Sequence, residues 1–320
     1  MTSTIVNTDE ILETLAAYTI LYPDFCEAMR LITKCFDTTR HRKDPASAML
    51  IGSTGVGKTR LCRMIEKQLG YARKVRDVRC EHIVKPCLYV ELPESATIKS
   101  LSMVLARELG ANPNDHQSVT TLETLIIERL DIMQVKLVIL DDFHHIAEKG
   151  QSKTKYSLCS WISILLNKSG VPFLLSGTSA GETIVNMIQE LSDRFPYRAK
   201  LKILPITEET SSSSFIGILS GLQKELIRLG DLQKFIHLTD PNHYIAVYLS
   251  TQGNFRKLSN LLHDGFRISL LRGDHTLTLN DFAEAADDLA FCCSPNYFRM
   301  SPAQLKIALK SKNSATGSKS

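Results

Sequence analysis

The sequence predicts an α/β fold: a parallel five-stranded sheet covered by helices on both faces, then a small all-helical region. Three observations predict it. Short apolar runs at residues 48–51, 87–91, 136–140 and 171–176 recur with helical segments between them, and 201–204 is a shorter fifth candidate. A glycine-rich run at 52–59 lies between the first apolar run and an amphipathic one. From 215 to 290 no strand pattern returns, and the apolar spacing reads as three or four helices.

Taken in order, residues 1–45 form a helical lead-in, with a break at Tyr22-Pro23. Ile11, Leu12, Leu15 and Ala16 mark the first piece; Phe25, Met29, Ile32, Cys35 and Phe36 mark the second at helical spacing. The α/β core is expected over 46–207. A polar stretch, Glu208-Glu209-Thr210 followed by four serines, reads as a hinge into the helical region, 208–292. Residues 293–320 are expected to be a disordered basic tail, since the last twenty carry Lys306, Lys310, Lys312 and Lys319 and no acid.

At 320 residues the chain can bury a substantial core. Its composition is globular, 43% hydrophobic and 22% charged, and a net charge of +4 permits a nucleic-acid partner without requiring one. Cysteines 26, 35, 62, 80, 87, 159, 292 and 293 form no C-x-x-C pair and no zinc-like spacing with histidine. Reduced thiols in a cytoplasmic protein are therefore expected. Asp9, Glu10 and Glu13 stand where a signal peptide needs positive charge, and no apolar run reaches membrane-spanning length.

The glycine-rich run is Gly52-Ser53-Thr54-Gly55-Val56-Gly57-Lys58-Thr59, with Arg60 next. Strand, loop and helix in that order let backbone N–H groups and a helix N-terminus converge on phosphate oxygens. Lys58 is placed to reach the β- and γ-phosphates of ATP, and the Thr59 hydroxyl to ligate Mg²⁺. A chance match to this pattern arises in about one chain of this length in a hundred.

The run 137–140 ends in Asp141-Asp142. Asp141 is the candidate second Mg²⁺ ligand, and Asp142 the carboxylate that orients attacking water. His144 and His145 either tune Asp142, contact a neighbouring subunit, or are simply polar loop residues. The run 171–176 leads into Gly177-Thr178, where Thr178, or failing that Ser176, is positioned for the γ-phosphate. Arg194 closes a helical segment before Phe195, and Gly253-Asn254-Phe255-Arg256 opens another. Either arginine can stabilise phosphoryl charge, Arg194 in a neighbouring subunit's site.

This ordered set resembles the AAA+ ATPases of the initiator-like group. Within them it is similar to the TniB/TnsC type of DNA transposition regulator, over roughly residues 15–290. The resemblance rests on Tyr22-Pro23, the loop 52–59, Asp141-Asp142-Phe143-His144-His145, Ser176-Gly177-Thr178, Arg194-Phe195 and the Gly-Asn-Phe-Arg start. It implies an ATPase in which Thr178 is the first sensor, Arg194 the arginine finger and Arg256 the second sensor, with Tyr22 and Pro23 beside the nucleotide. It also implies a homo-oligomeric ring or helical filament on double-stranded DNA, linking a target-selection protein to a transposase. One departure matters: such hydrolases usually carry Glu where this chain has Asp142, so slow hydrolysis is expected.

For DNA, Arg73, Lys74, Arg76, Arg79 and Lys85 form a basic stretch that is either a binding face or a solvated one. The resemblance turns the loop at 95–99 toward a central channel, so Lys99 with Thr97 or Thr121 is the candidate for sequence-independent phosphate contacts. Other AAA+ tasks, helicase or initiator loading, share these residues. A P-loop kinase and a nucleotide-switched signalling scaffold without DNA binding are the remaining alternatives.

Overall fold

The computed structural model describes residues 8–39, 45–76, 81–93, 96–148, 152–206, 215–292 and 295–317. The expected hinge at 208–214, together with Arg79 and Ser95, lies outside them. The chain divides into two compact units: Asp24–Lys202, and Met1–Pro23 with Ile203–Ser320.

Two helices come first, α1 (Thr8–Ala17) and α2 (Pro23–Thr39). Pro23 opens α2, where a missing N–H costs nothing. One stripe of α2 is buried: Phe25, Ala28, Ile32, Cys35 and Phe36. The lead-in expected as one segment is divided, α1 belonging to the helical unit and α2 to the α/β unit.

The α/β unit continues with β1 (Ala48–Gly52), α3 (Lys58–Leu69), β2 (Arg73–Arg76), β3 (Glu81–Val84), β4 (Cys87–Glu91), α4 (Ile98–Glu108) and α5 (Val119–Ile132). Then follow β5 (Leu137–Asp141), α6 (His145–Glu148), α7 (Ser152–Ser169), β6 (Phe173–Gly177), α8 (Ser179–Asn186), α9 (Gln189–Arg194) and β7 (Tyr197–Leu201). Five strands pair in parallel in the order β4-β5-β6-β1-β7. Successive residues of β5 and β6 point to opposite faces and all are buried, so both faces are covered. The core joins Met49, Leu88, Val138, Leu140, Phe173 and Leu175 to Leu101, Leu122, Ile126, Trp161 and Leu165 of the helices.

One expectation about this unit is corrected. The fifth strand ends at Leu201 instead of starting there. In β7 the buried Ala199 and Leu201 alternate with Arg198 and Lys200, a one-sided edge pattern with no continuous apolar run. The basic stretch holds a strand pair: β2 and β3 form an antiparallel hairpin, Arg73 opposite Val84 and Arg76 opposite Glu81.

The helical unit adds α10 (Phe215–Gly230), β8 (Lys234–Phe235), α11 (Pro241–Thr251), α12 (Phe255–Arg272), β9 (Thr276–Leu277), α13 (Leu279–Asp288), a 3₁₀ turn (Tyr297–Arg299) and α14 (Pro302–Gly317). It is not purely helical, because β8 and β9 pair in parallel over two residues each. Its core stacks Phe282 on Phe298 with centroids 6.0 Å apart and sets Phe215 edge-on to Tyr248 at 5.3 Å. Within the basic end, expected to be disordered over 293–320, residues Pro302–Gly317 form α14, while 293, 294 and 318–320 lie outside the described residues. Leu305 is buried, and the Lys312 ammonium donates to the Leu249 carbonyl at 3.1 Å while lying 5.3 Å over the Tyr297 ring.

Cys35, Cys62, Cys87, Cys159 and Cys292 are buried thiols, and Cys26 is exposed. Burial pushes the Cys87 and Cys159 thiols up to about 12, which keeps them protonated and inert. Among the described residues no helix is long and apolar enough to cross a membrane.

Candidate functional site

Parallel strands all end at one edge of a sheet, and here three neighbours, β5, β6 and β1, end together. Ile51 pairs with Gly177 and Leu140 with Leu175. The loop after Gly52, the Asp141-Asp142 pair and Thr178 therefore share the carboxyl edge. Gly57 stands at φ 99° as the N-cap of α3, a backbone state that L side chains resist. The Leu61 amide then donates to its carbonyl at 3.0 Å, which starts the helix. Buried Val56 anchors the loop, while Ser53, Thr54 and Thr59 remain exposed. Lys58 is buried and folds over the loop, donating to the Gly52 carbonyl at 2.9 Å and the Ser53 carbonyl at 3.0 Å.

Asp141 is 1% exposed at the end of β5. Its Oδ2 accepts from the Tyr89 hydroxyl at 2.9 Å and its Oδ1 from the Asp142 amide at 3.0 Å. The next residue leaves the strand sharply: Asp142 has φ 54°, a left-handed state that Asp tolerates better than most residues. Phe143 is fully buried, and its amide donates to the Ser176 carbonyl at 2.8 Å, so the turn is pinned to β6. Asp142 keeps a partly exposed carboxylate whose Oδ1 is 3.8 Å from His144 Nδ1. The His144 and His145 rings lie 4.5 Å apart. Of the two hydroxyls considered for the γ-phosphate, Ser176 is fully buried, whereas Thr178 is half-buried and makes no cap hydrogen bond.

Among the described residues no group of three or more His, Cys, Asp or Glu forms an all-protein metal cage. Thr59 and Asp141 offer hard oxygen donors, two in number. That set suits Mg²⁺, which keeps several waters and is completed by substrate phosphates.

Arg194 is elsewhere. Its carbonyl accepts from the Ser47 amide at 2.8 Å, and Ser47 directly precedes β1. Arg194 thus sits at the amino edge, a strand length of about 15 Å from its own phosphate loop. The turn after it is braced by Arg198, which sequence reasoning missed. Arg198 donates to the Phe195 carbonyl at 2.8 Å and the Ser192 hydroxyl at 3.1 Å, and lies 3.7 Å from Glu182. Its only sequence signal is the charge alternation of β7.

In the helical unit the two motifs that flank the core in sequence meet. Tyr22 is buried and stacks on Phe255, centroids 5.3 Å apart. Asn254 caps α12, accepting from the amides of Arg256 and Lys257 at 3.1 and 3.3 Å. Gly253 has φ 69°, and a Cβ there would fall 2.1 Å from the Leu204 carbonyl oxygen. Arg256 is exposed at the first turn.

The candidate DNA residues fall in two places. Arg73, Lys74 and Arg76 line the exposed hairpin, but Lys85 is engaged by Glu108 at 3.3 Å. The N-termini of α4 and α5 come side by side, because the Lys99 ammonium donates to the Gln117 carbonyl, next to the Ser118 cap of α5. Thr121 shares a hydroxyl hydrogen bond with Ser118 at 2.8 Å. Thr97 is committed to a capping box, donating to the Ser100 hydroxyl and accepting from the Ser100 amide, both at 3.1 Å.

A parallel sheet in this strand order, with the phosphate loop after a central strand and a helical unit following, is the AAA+ ATPase fold. Solved structures share it. The Aeropyrum pernix ORC1 protein, determined in complex with DNA, aligns over 87% of this chain and 69% of its own at 16% identity, TM-score 0.59. The Aeropyrum pernix ORC2 protein in its ADPNP–ADP complexes aligns over 82% and 67% at 14% identity, TM-score 0.58. Cdc6p from Pyrobaculum aerophilum aligns over 88% and 70% at 13% identity, TM-score 0.55. Identities this low establish the fold alone. A family model described as "Bacterial TniB protein" matches residues 11–202, and the chain belongs to that family. No curated protein matches the sequence.

Proposed function

We propose that this protein is an ATP-dependent, DNA-binding regulator of DNA transposition that assembles in copies on double-stranded target DNA and links a target-selection protein to a transposase. Lys58 and the loop amides bind the β- and γ-phosphates, and Thr59 and Asp141 hold Mg²⁺. When bound, the ion neutralises phosphate charge. Asp142 orients water, Thr178 contacts the γ-phosphate and Arg256 acts as the second sensor.

The observation that carries this reading is the separation of Arg194 from the loop of its own chain. An arginine side chain spans about 7 Å, so it cannot cross a strand length of about 15 Å. A second copy, however, can present its amino edge to the first copy's carboxyl edge. The nucleotide then lies between subunits, and its binding drives assembly. Asp142 is one methylene shorter than Glu, which sets hydrolysis slow and lets the assembly persist.

Electron microscopy of the full chain with duplex DNA, with and without a non-hydrolysable ATP analogue, tests this. Rings or filaments on DNA that need the analogue are expected. Absence of DNA binding in every nucleotide condition at low salt overturns the transposition reading in favour of a nucleotide-switched scaffold.

A further inference from the structure

Tyr89 belongs to none of the motifs read from the sequence. It lies on β4 in register with Ile139, and Asp141 is two residues further along the same face of β5. Its hydroxyl donates to Asp141 Oδ2 at 2.9 Å. The direction of donation follows from the chemistry, since an ionised carboxylate only accepts. The ring itself is held: the Arg63 guanidinium of α3 lies 3.4 Å over its centroid and pairs with Glu66 at 2.9 Å. With the Asp142 amide on Oδ1, each oxygen of Asp141 carries one donor, and the carboxylate cannot turn without breaking both bonds.

We propose that Tyr89 is a positioning residue for Asp141, fixing its carboxylate in the one rotation that meets Mg²⁺ and its waters, with Arg63 holding the tyrosine ring in place. The inference rests on the reading of Asp141 as a Mg²⁺ ligand. A competing account makes Tyr89 a buried hydroxyl that merely found the nearest acceptor. The two accounts separate by metal dependence. A packing defect weakens nucleotide binding with or without Mg²⁺, whereas loss of positioning weakens only the part that Mg²⁺ adds.

Tyr89→Phe keeps the ring and the Arg63 stack and removes the hydroxyl. ATP is titrated calorimetrically into the full-length wild type, Tyr89→Phe and Lys58→Ala, in EDTA and over a MgCl₂ series. The Mg²⁺ concentration giving half of the metal enhancement should rise about tenfold or more in Tyr89→Phe, the usual size of an outer-shell effect, with affinity in EDTA held within about twofold. An unchanged Mg²⁺ midpoint, or equal losses in EDTA and Mg²⁺, overturns the inference while leaving the nucleotide site standing. If wild type does not bind ATP, or Lys58→Ala binds it equally well, the nucleotide reading itself fails. Should Tyr89→Phe not fold by thermal melting, Arg63→Met carries the test. It leaves the hydroxyl but frees the ring, so a smaller shift in the same direction is expected and an unmoved midpoint overturns the proposal.

Discussion

At the carboxyl edge of the central sheet, Lys58, Asp141, Asp142 and Thr178 gather behind three adjacent strand ends, each held by its own chain. At the amino edge, Arg194 closes a six-residue helix and is braced by Ser47 and by the turn that Arg198 clamps. On the proposed reading one edge holds the nucleotide, and the other presents Arg194 to the nucleotide of a second copy, so a single copy carries every part of the proposed site without bringing the last part to the rest.

Arg194→Ala is expected to have the largest effect on this division between the edges. An arginine supplied in trans contributes roughly 1,000-fold or more to turnover, so steady-state phosphate release should fall to background. Adding excess Lys58→Ala subunits, which keep Arg194, should restore part of it in mixed oligomers. No rescue, with co-assembly shown by light scattering, would mean that Arg194 serves only its own chain.

Asp142→Asn should act at the other edge alone. Removing a water-orienting carboxylate costs about 100-fold in turnover, while ATP-dependent assembly should survive. Equal phosphate release in variant and wild type would place the base elsewhere. Asp142→Glu is expected to hydrolyse faster, because the left-handed turn at φ 54° sets a short side chain at the edge and one more methylene extends its reach.

The two edges also differ in how far the sequence revealed them. The positions of the loop 52–59 and of Asp141-Asp142 at strand ends were legible because the proposed chemistry demands fixed residue types at fixed spacing, after strands that read as continuous apolar runs. β7 was misplaced because half of an edge strand faces solvent and carries Arg198 and Lys200. The hairpin of β2 and β3 was invisible for a similar reason: four of its eight residues, Arg73, Lys74, Arg76 and Glu81, are charged, and cross-strand pairing stabilises it. Tyr89 gave no signal at all, since a tyrosine within an apolar strand reads as core until the strand beside it is known. Tyr22-Pro23 and Gly-Asn-Phe-Arg were legible as motifs, but their mutual stacking was not. The backbone demand at Gly253 comes from Leu204, which is distant in sequence.

Lys58→Ala probes the carboxyl edge through binding alone. Losing charge-assisted hydrogen bonds to phosphate costs about 1.5–3 kcal/mol, so ATP affinity should drop tenfold or more by calorimetry. Arg194→Ala in the same assay should leave the affinity of the dilute, unassembled subunit unchanged. Matching losses in both variants would erase the distinction between the edges.

The smallest effect is expected from Lys99→Ala. Its ammonium already donates to the Gln117 carbonyl, so one of its three hydrogens is occupied and each subunit adds a single modest phosphate interaction. Thr97 cannot reinforce it as a donor while its hydroxyl proton is engaged by Ser100. In the proposed assembly the interaction matters through repetition, because copies aligned by nucleotide would present one lysine each and their weak attractions would multiply. Lys99→Ala should therefore weaken binding to every duplex sequence alike and flatten the dependence of log affinity on log salt by about one unit for each phosphate no longer neutralised. Fluorescence anisotropy over a salt series, with and without the ATP analogue, reads both quantities. A parallel Arg73→Ala series separates the two basic regions: if that variant flattens the slope and Lys99→Ala does not, the DNA path runs over the β2–β3 hairpin instead of the paired N-termini of α4 and α5.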